Sequence, residues 1–171
     1  MRATKTSPFD VALALRLTSE AGTLVELAHD LGVVPSQVHA ALRRLGVAGL
    51  LRPNARVANT RALVEFVTHG VRYAFPVAKG PLASGVPTAY SAAPLSADVD
   101  AIDVVVWPAP LHPAAVQGFS LAPLYPAAPL LYDRHPRTYQ LLAITDALRL
   151  GDPRTRVIAR ERLEQLLGVR A

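Results

Sequence analysis

The stretch "LVELAHDLGVVPSQVHAALRRLGVAGLLR", residues 24–52, decides how the chain is read. Thr23-x-x-Glu26 just before and inside it is a capping box: a hydroxyl and a carboxylate three residues apart can satisfy each other's free backbone N–H groups. It predicts a short helix over Leu24–Leu31, with Leu27 and Leu31 facing inward and Ala28 small because a second helix crosses close to it. Gly32 makes the turn. Pro35, which suits a first helical position because its missing N–H is not needed there, opens the next helix. Val38, Ala41, Leu42 and Leu45 form its apolar stripe, and Gly46 and Gly49 close it. Ser36, Gln37, His39, Ala40, Arg43 and Arg44 are left for solvent.

Working outward, Ser7-Pro8-Phe9-Asp10 signals an earlier helix start. Val11 with Leu15, and Leu13 with Leu17, give that helix a broad apolar face, with Gly22 as its end. On the other side, Leu50 and Leu51 lead into the turn signal Pro53-Asn54, and Val57 begins a return strand, which makes a small hairpin or wing. Asn59 or Thr60 caps a fourth helix with Leu63, Phe66 and Val67 on one side and Gly70 as its stop. "VRYAF", residues 71–75, alternates and reads as a strand.

Composition changes at Pro76: eleven of the fifteen prolines lie between Pro76 and Pro136. Residues 76–94 read mostly as loop. "AIDVVVWP" is the clearest strand in the chain, "GFSLAPLYP" a second candidate, and Trp107 belongs to the core of this region. Two helices close the sequence. The first spans "RTYQLLAITDALRL" and ends at Gly151. The second runs from Asp152-Pro153 to Gly168, with Val157, Leu163, Leu166 and Leu167 as its apolar stripe beside Arg154, Arg156, Arg160, Arg162 and Arg170. The expected architecture is α+β, mainly α. A winged helix-turn-helix at 7–75 precedes an irregular, Pro-rich, strand-containing region at 76–135. The C-terminal helical pair at 136–168 is expected to pack with 76–135 as one second domain.

Charge sharpens the picture. The formal net charge is +5, but its placement says more: from Leu31 to Val64 there are five arginines and no acid at all. A basic block without internal carboxylates is a local field that attracts polyanions. Other chemistries find little support. Without cysteine there is no disulfide framework or thiolate metal site. The histidines are scattered, and no pair has zinc-like spacing. Asp98, Asp100 and Asp103 stand close enough to hold a hard cation, but read first as a solvated loop entering a strand. No acid, base and nucleophile converge, so no enzyme is expected, and no cofactor. Every apolar run is cut by arginine or proline well short of the roughly 18 residues a membrane span needs. The first ten residues lack the apolar run of a signal peptide. A cytoplasmic protein is the expectation.

Helix, glycine turn, Pro-Ser start, paired basic residues and a Gly-Leu-Leu step into a wing together resemble the winged-helix region of bacterial transcriptional regulators of the MarR and ArsR kind. The resemblance covers residues 9–70, a little over a third of the chain. One departure is visible: such proteins usually place Ser or Thr before the proline, where this chain has Val34, which leaves Ser36 as an alternative cap. The resemblance implies sequence-specific binding to double-stranded DNA, most simply as a repressor occupying an operator, and commonly as a homodimer. Because the N-terminal half of such a helix enters the groove, Ser36, Gln37, His39 and Arg43 are expected at bases. Arg44, Arg52, Arg56 and Arg61 are expected at phosphates or the minor groove. The alternative is an adaptor or antitoxin whose C-terminal half binds a toxin or another protein.

Overall fold

The computed structural model describes residues 5–169 of the 171-residue chain, so Arg170 lies outside the described residues. The fold is α+β and predominantly helical. It begins with α1 (Pro8–Arg16), α2 (Leu24–Leu31) and α3 (Pro35–Val47). The caps are local chemistry. Glu26 accepts from the Thr23 N–H at 2.8 Å, and the Thr23 hydroxyl oxygen accepts from the Glu26 N–H at 3.2 Å. Asp10 receives both the N–H and the hydroxyl of Ser7 at 2.8 Å. The first helix ends at Arg16, well before the expected stop at Gly22; the Thr18 hydroxyl bonds back to the Leu15 carbonyl in the turn that follows.

Between α2 and α3 only Gly32, Val33 and Val34 intervene. Gly32 adopts the left-handed conformation, φ 65°, that a side chain disfavours. Ser36 does not cap α3. The helix starts at Pro35, and the Gln37 side-chain oxygen reaches back to the Val34 N–H at 3.3 Å. With proline at the first position, one terminal donor is missing, so a hydroxyl cap is less needed.

After α3 the chain folds into a short hairpin. A single antiparallel bridge joins Leu51 to Ala58, flanked by bonds from the Arg52 N–H to Val57 and from the Asn59 N–H to Leu50. Asn59 caps α4 (Thr60–Glu65) through the Ala62 N–H. Here two sequence expectations fail. Gly70 does not stop the helix, and residues 71–75 form no strand. The helix passes through a π-helical turn at Phe66–Gly70 into α5 (Val71–Ala74). Gly70 is needed for space, because a Cβ there would press into the Phe66 ring. The alternation of Val71 and Tyr73 was no sheet pattern either: Val71 is buried, while Tyr73 is 74% exposed.

The Pro-rich region holds three strands, β1 (Leu82–Pro87), β2 (Val105–Pro108) and β3 (Val116–Ser120). β1 pairs antiparallel with both others, β2 pairs parallel with β3, and the three close on one another. Gly85 faces Pro108 on one side and Val116 on the other. β1 lies inside the segment expected to be loop, and β2 and β3 are shorter or shifted relative to the runs expected from sequence. A short α6 (Leu131–Arg134) leads into α7 (Pro136–Leu150) and α8 (Pro153–Leu167). On α8 the buried positions are Thr155, Ala159 and Leu163; Val157, expected inward, is 58% exposed.

One continuous buried cluster runs through the chain, from Val11, Leu13 and Leu15 of α1 through Leu27, Val38 and Leu45 to Trp107, Leu141 and Leu163. α7 is its axis: it packs against α1, α5, α6 and α8. At its centre Asp146, wholly buried, accepts from the Trp107 indole at 2.6 Å, the Thr88 hydroxyl at 2.9 Å and Arg149 at 2.7 Å. Burial pushes this carboxyl above its usual range, while Arg149 and the other donors act to lower it. Arg149 also donates to the Phe75 carbonyl at 2.8 Å, which ties the end of α5 to α7. Among the described residues, no helix is long and apolar enough to cross a membrane.

Candidate nucleic-acid interface

The face of α3 away from the core carries Ser36, Gln37, His39 and Arg43, all exposed. Ser36, His39 and Arg43 follow one another at helical spacing, so they share a stripe. Gln37 stands beside them, with its oxygen engaged at Val34 and its amide N–H groups free to donate. The inner face, Val38, Ala41 and Leu45, is fully buried.

Arg44 does not join that surface. Its Nε donates to Asp10 Oδ2 at 2.8 Å and its Nη2 to Oδ1 at 2.6 Å, in a two-pronged pair whose carboxylate is buried. The bond to Asp10 holds the guanidinium above its already high ordinary pKa. Arg44 therefore clamps α3 to the capped start of α1, and the expectation that it meets phosphate is corrected: its planar fork is already filled by a carboxylate. A second clamp joins α1 to α2, with Arg16 donating to Asp30 at 2.8 and 3.0 Å and to the Glu20 carbonyl at 2.9 Å. Arg134 of α6 reaches the His29 carbonyl at 3.1 Å, so the far end of α2 is held by the later part of the chain. The two helices and the turn between them are thus fixed from behind.

Arg52 and Arg56 are exposed in the hairpin, and Arg61 is exposed in the first turn of α4. These three and Arg43 differ from most of the other arginines among the described residues. Arg16, Arg44, Arg149, Arg160 and Arg162 are paired with carboxylates. Arg134, Arg137 and Arg156 bond to backbone carbonyls. Among the described residues, the arginines whose side chains make no hydrogen bond or ion pair within the chain are Arg43, Arg52, Arg56, Arg61, Arg72 and Arg154. Four of these six lie in the acid-free window from Leu31 to Val64.

Of the three aspartates Asp98, Asp100 and Asp103, Asp100 is exposed and the other two make internal contacts. Asp98 is held by Arg162 through two bonds of 2.7 Å, which keep its carboxyl below the usual range. Asp103 is held by Lys79 and the Tyr90 hydroxyl. Among the described residues, no group of three or more potential ligands stands ready for a metal. Neither helix clamp nor the Asp146 network was legible in the sequence pattern, because their partners lie 14 to 58 residues apart. An aspartate inside "LLAITDALRL" was the one available signal, a charge where the helix is otherwise apolar.

No protein-family model matches the chain, and neither a curated protein nor a solved structure matches it.

Proposed function

We propose that the protein is a sequence-specific DNA-binding regulator of winged helix-turn-helix type, acting as a repressor by occupying an operator. In this reading α3 enters the major groove and the 50–59 hairpin is the wing. The observation that carries it is the set of four exposed, internally unpaired arginines, Arg43, Arg52, Arg56 and Arg61, within the acid-free window from Leu31 to Val64. Most of the other arginines among the described residues are engaged by carboxylates or backbone carbonyls. An unpaired guanidinium keeps its full complement of donors for phosphate oxygens or the guanine edge.

The roles divide along the surface. Ser36, Gln37 and His39 occupy the N-terminal half of α3, the part of such a helix that reaches base edges, and Arg43 stands one to two turns further on. Arg52, Arg56 and Arg61 serve the backbone. A homodimer on a two-fold symmetric site, with half-sites about one helical turn apart, is the natural arrangement for this class.

The test compares two substitutions after selection of a preferred duplex from a random pool. Gln37→Ala is expected to relax the base preference while leaving the salt dependence of affinity nearly unchanged. Arg52→Ala is expected to keep the preference and reduce the magnitude of the log–log salt slope by about 0.9. Loss of both effects, with tight retention of a protein from the same cells, would favour the adaptor reading instead.

A further inference from the structure

Among the described residues, Arg72 is one of the two unpaired arginines outside the proposed DNA surface, and it lines a cleft of about 320 Å³ between the π-helical turn with α5 on one side and α8 on the other. Thr68, His69, Arg72 and Tyr73 contribute from the first wall and Arg156 and Arg160 from the second, and no carboxylate lines the cleft. We propose that this cleft is a binding site for a small phosphate monoester carrying an apolar or aromatic group.

Two features point there. Positive charge converges from two elements distant in sequence: no acid lines the cleft, and of its three arginines only Arg160 is paired with a carboxylate, that of Glu164. Two of the guanidinium groups are held in place while keeping donors to spare: Arg156 Nη1 is fixed on the Gly151 carbonyl at 2.6 Å, and Arg160 Nε on Glu164 at 2.7 Å. The remaining N–H groups of each are unengaged, and a pre-positioned guanidinium fork suits phosphate better than a mobile ammonium. Arg72 is oriented by the Tyr73 ring, its guanidinium carbon 4.8 Å from the ring centre, a contact that leaves all its N–H groups available.

The apolar part of the ligand follows from Tyr73 and Val157, both exposed at this cleft. Two larger clefts lack this character. In the one at Lys79 the ammonium is already bonded to Asp103, and the one at Tyr132 and Tyr139 has no charged lining residue. The inference stands apart from the DNA reading, since the cleft uses none of its residues.

The experiment is calorimetric titration of the full chain with phenyl phosphate at fixed ionic strength, with phenol and inorganic phosphate as partial probes. Saturable binding of one phenyl phosphate per chain is expected, weaker binding of inorganic phosphate, and none of phenol. Arg72→Gln, which breaks no internal hydrogen bond, is expected to weaken binding about tenfold or more. Arg154→Gln, the unpaired arginine outside the cleft, is expected to leave it unchanged. Absence of phenyl phosphate binding, equal binding by the Arg72 variant, or an equal loss in the Arg154 variant would each overturn the proposal. So would an Arg72 variant that loses DNA affinity while wild-type protein ignores phenyl phosphate, since the cleft would then be a DNA backbone contact.

Discussion

Arg43 and Arg44 are neighbours of identical chemistry with opposite employment. Rotation by 100° along a helix turns one guanidinium to solvent and the other onto buried Asp10. Their substitution therefore separates folding from binding. Arg44→Ala leaves the Asp10 carboxylate buried with only Ser7 to satisfy it, and is expected to destabilise the protein by about 2 kcal/mol, the scale of a lost charged hydrogen-bond pair. Arg43→Ala is expected to change stability by less than about 0.5 kcal/mol while weakening specific DNA binding. Urea unfolding of the two variants reads the difference; equal stabilities would mean that the Asp10 clamp contributes nothing. Periodicity separates these residues only in part. It marks both as outside the apolar stripe, but the partner of Arg44 lies 34 residues away and is brought close by the crossing of α1 and α3.

Local chemistry made some elements legible and left others hidden. The caps at Ser7, Thr23, Asn59 and Asp152 are short-range arrangements that the sequence displays directly. β1 is different. "LASGVP" has neither alternation nor β-branched density, and it becomes a strand because β2 and β3 supply partners on both its edges. The π-turn at Phe66–Gly70 likewise depends on the fit of the Phe66 ring over Gly70, which no periodicity announces. One cap carries a pH signature. The His135 side chain caps α7 by accepting the Thr138 N–H at Nδ1, 3.4 Å away, which requires that nitrogen to be unprotonated. Burial first, and then Arg16, hold the imidazole below its ordinary pKa. The unfolded chain then binds the proton more readily than the folded one. This contribution to stability is fully present above about pH 6.5 and is lost as pH falls toward the lower folded value. Thermal midpoints at pH 7.5 and 5.5 are expected to show a drop in the wild type that shrinks in His135→Asn, whose amide caps without titrating. An equal drop in both would remove His135 as its source.

At the scale of the whole molecule, the buried cluster crosses Pro76 without interruption, and the Asp146–Arg149 network fastens Phe75, Thr88 and Trp107 to one helix. The surface proposed to meet DNA is thus carried on a scaffold built from both halves of the chain. Composition alone suggested a change of character at Pro76, because proline density shows where the backbone is irregular and says nothing of which faces share a core. Charge was more telling. The acid-free window was visible in the sequence, and the side-chain pairing adds that four of its five arginines remain uncommitted. The most direct measurement of the central claim is the affinity of the full chain for a duplex from upstream of its own gene, titrated with potassium chloride. It is made for the wild type and for a variant with Arg43, Arg52, Arg56 and Arg61 all replaced by alanine. Each phosphate neutralised adds about 0.9 to the magnitude of the slope of log K against log salt. A wild-type slope of several units is expected, collapsing in the variant while the fold is retained. A flat response, or the same steep slope in both proteins, would contradict the claim.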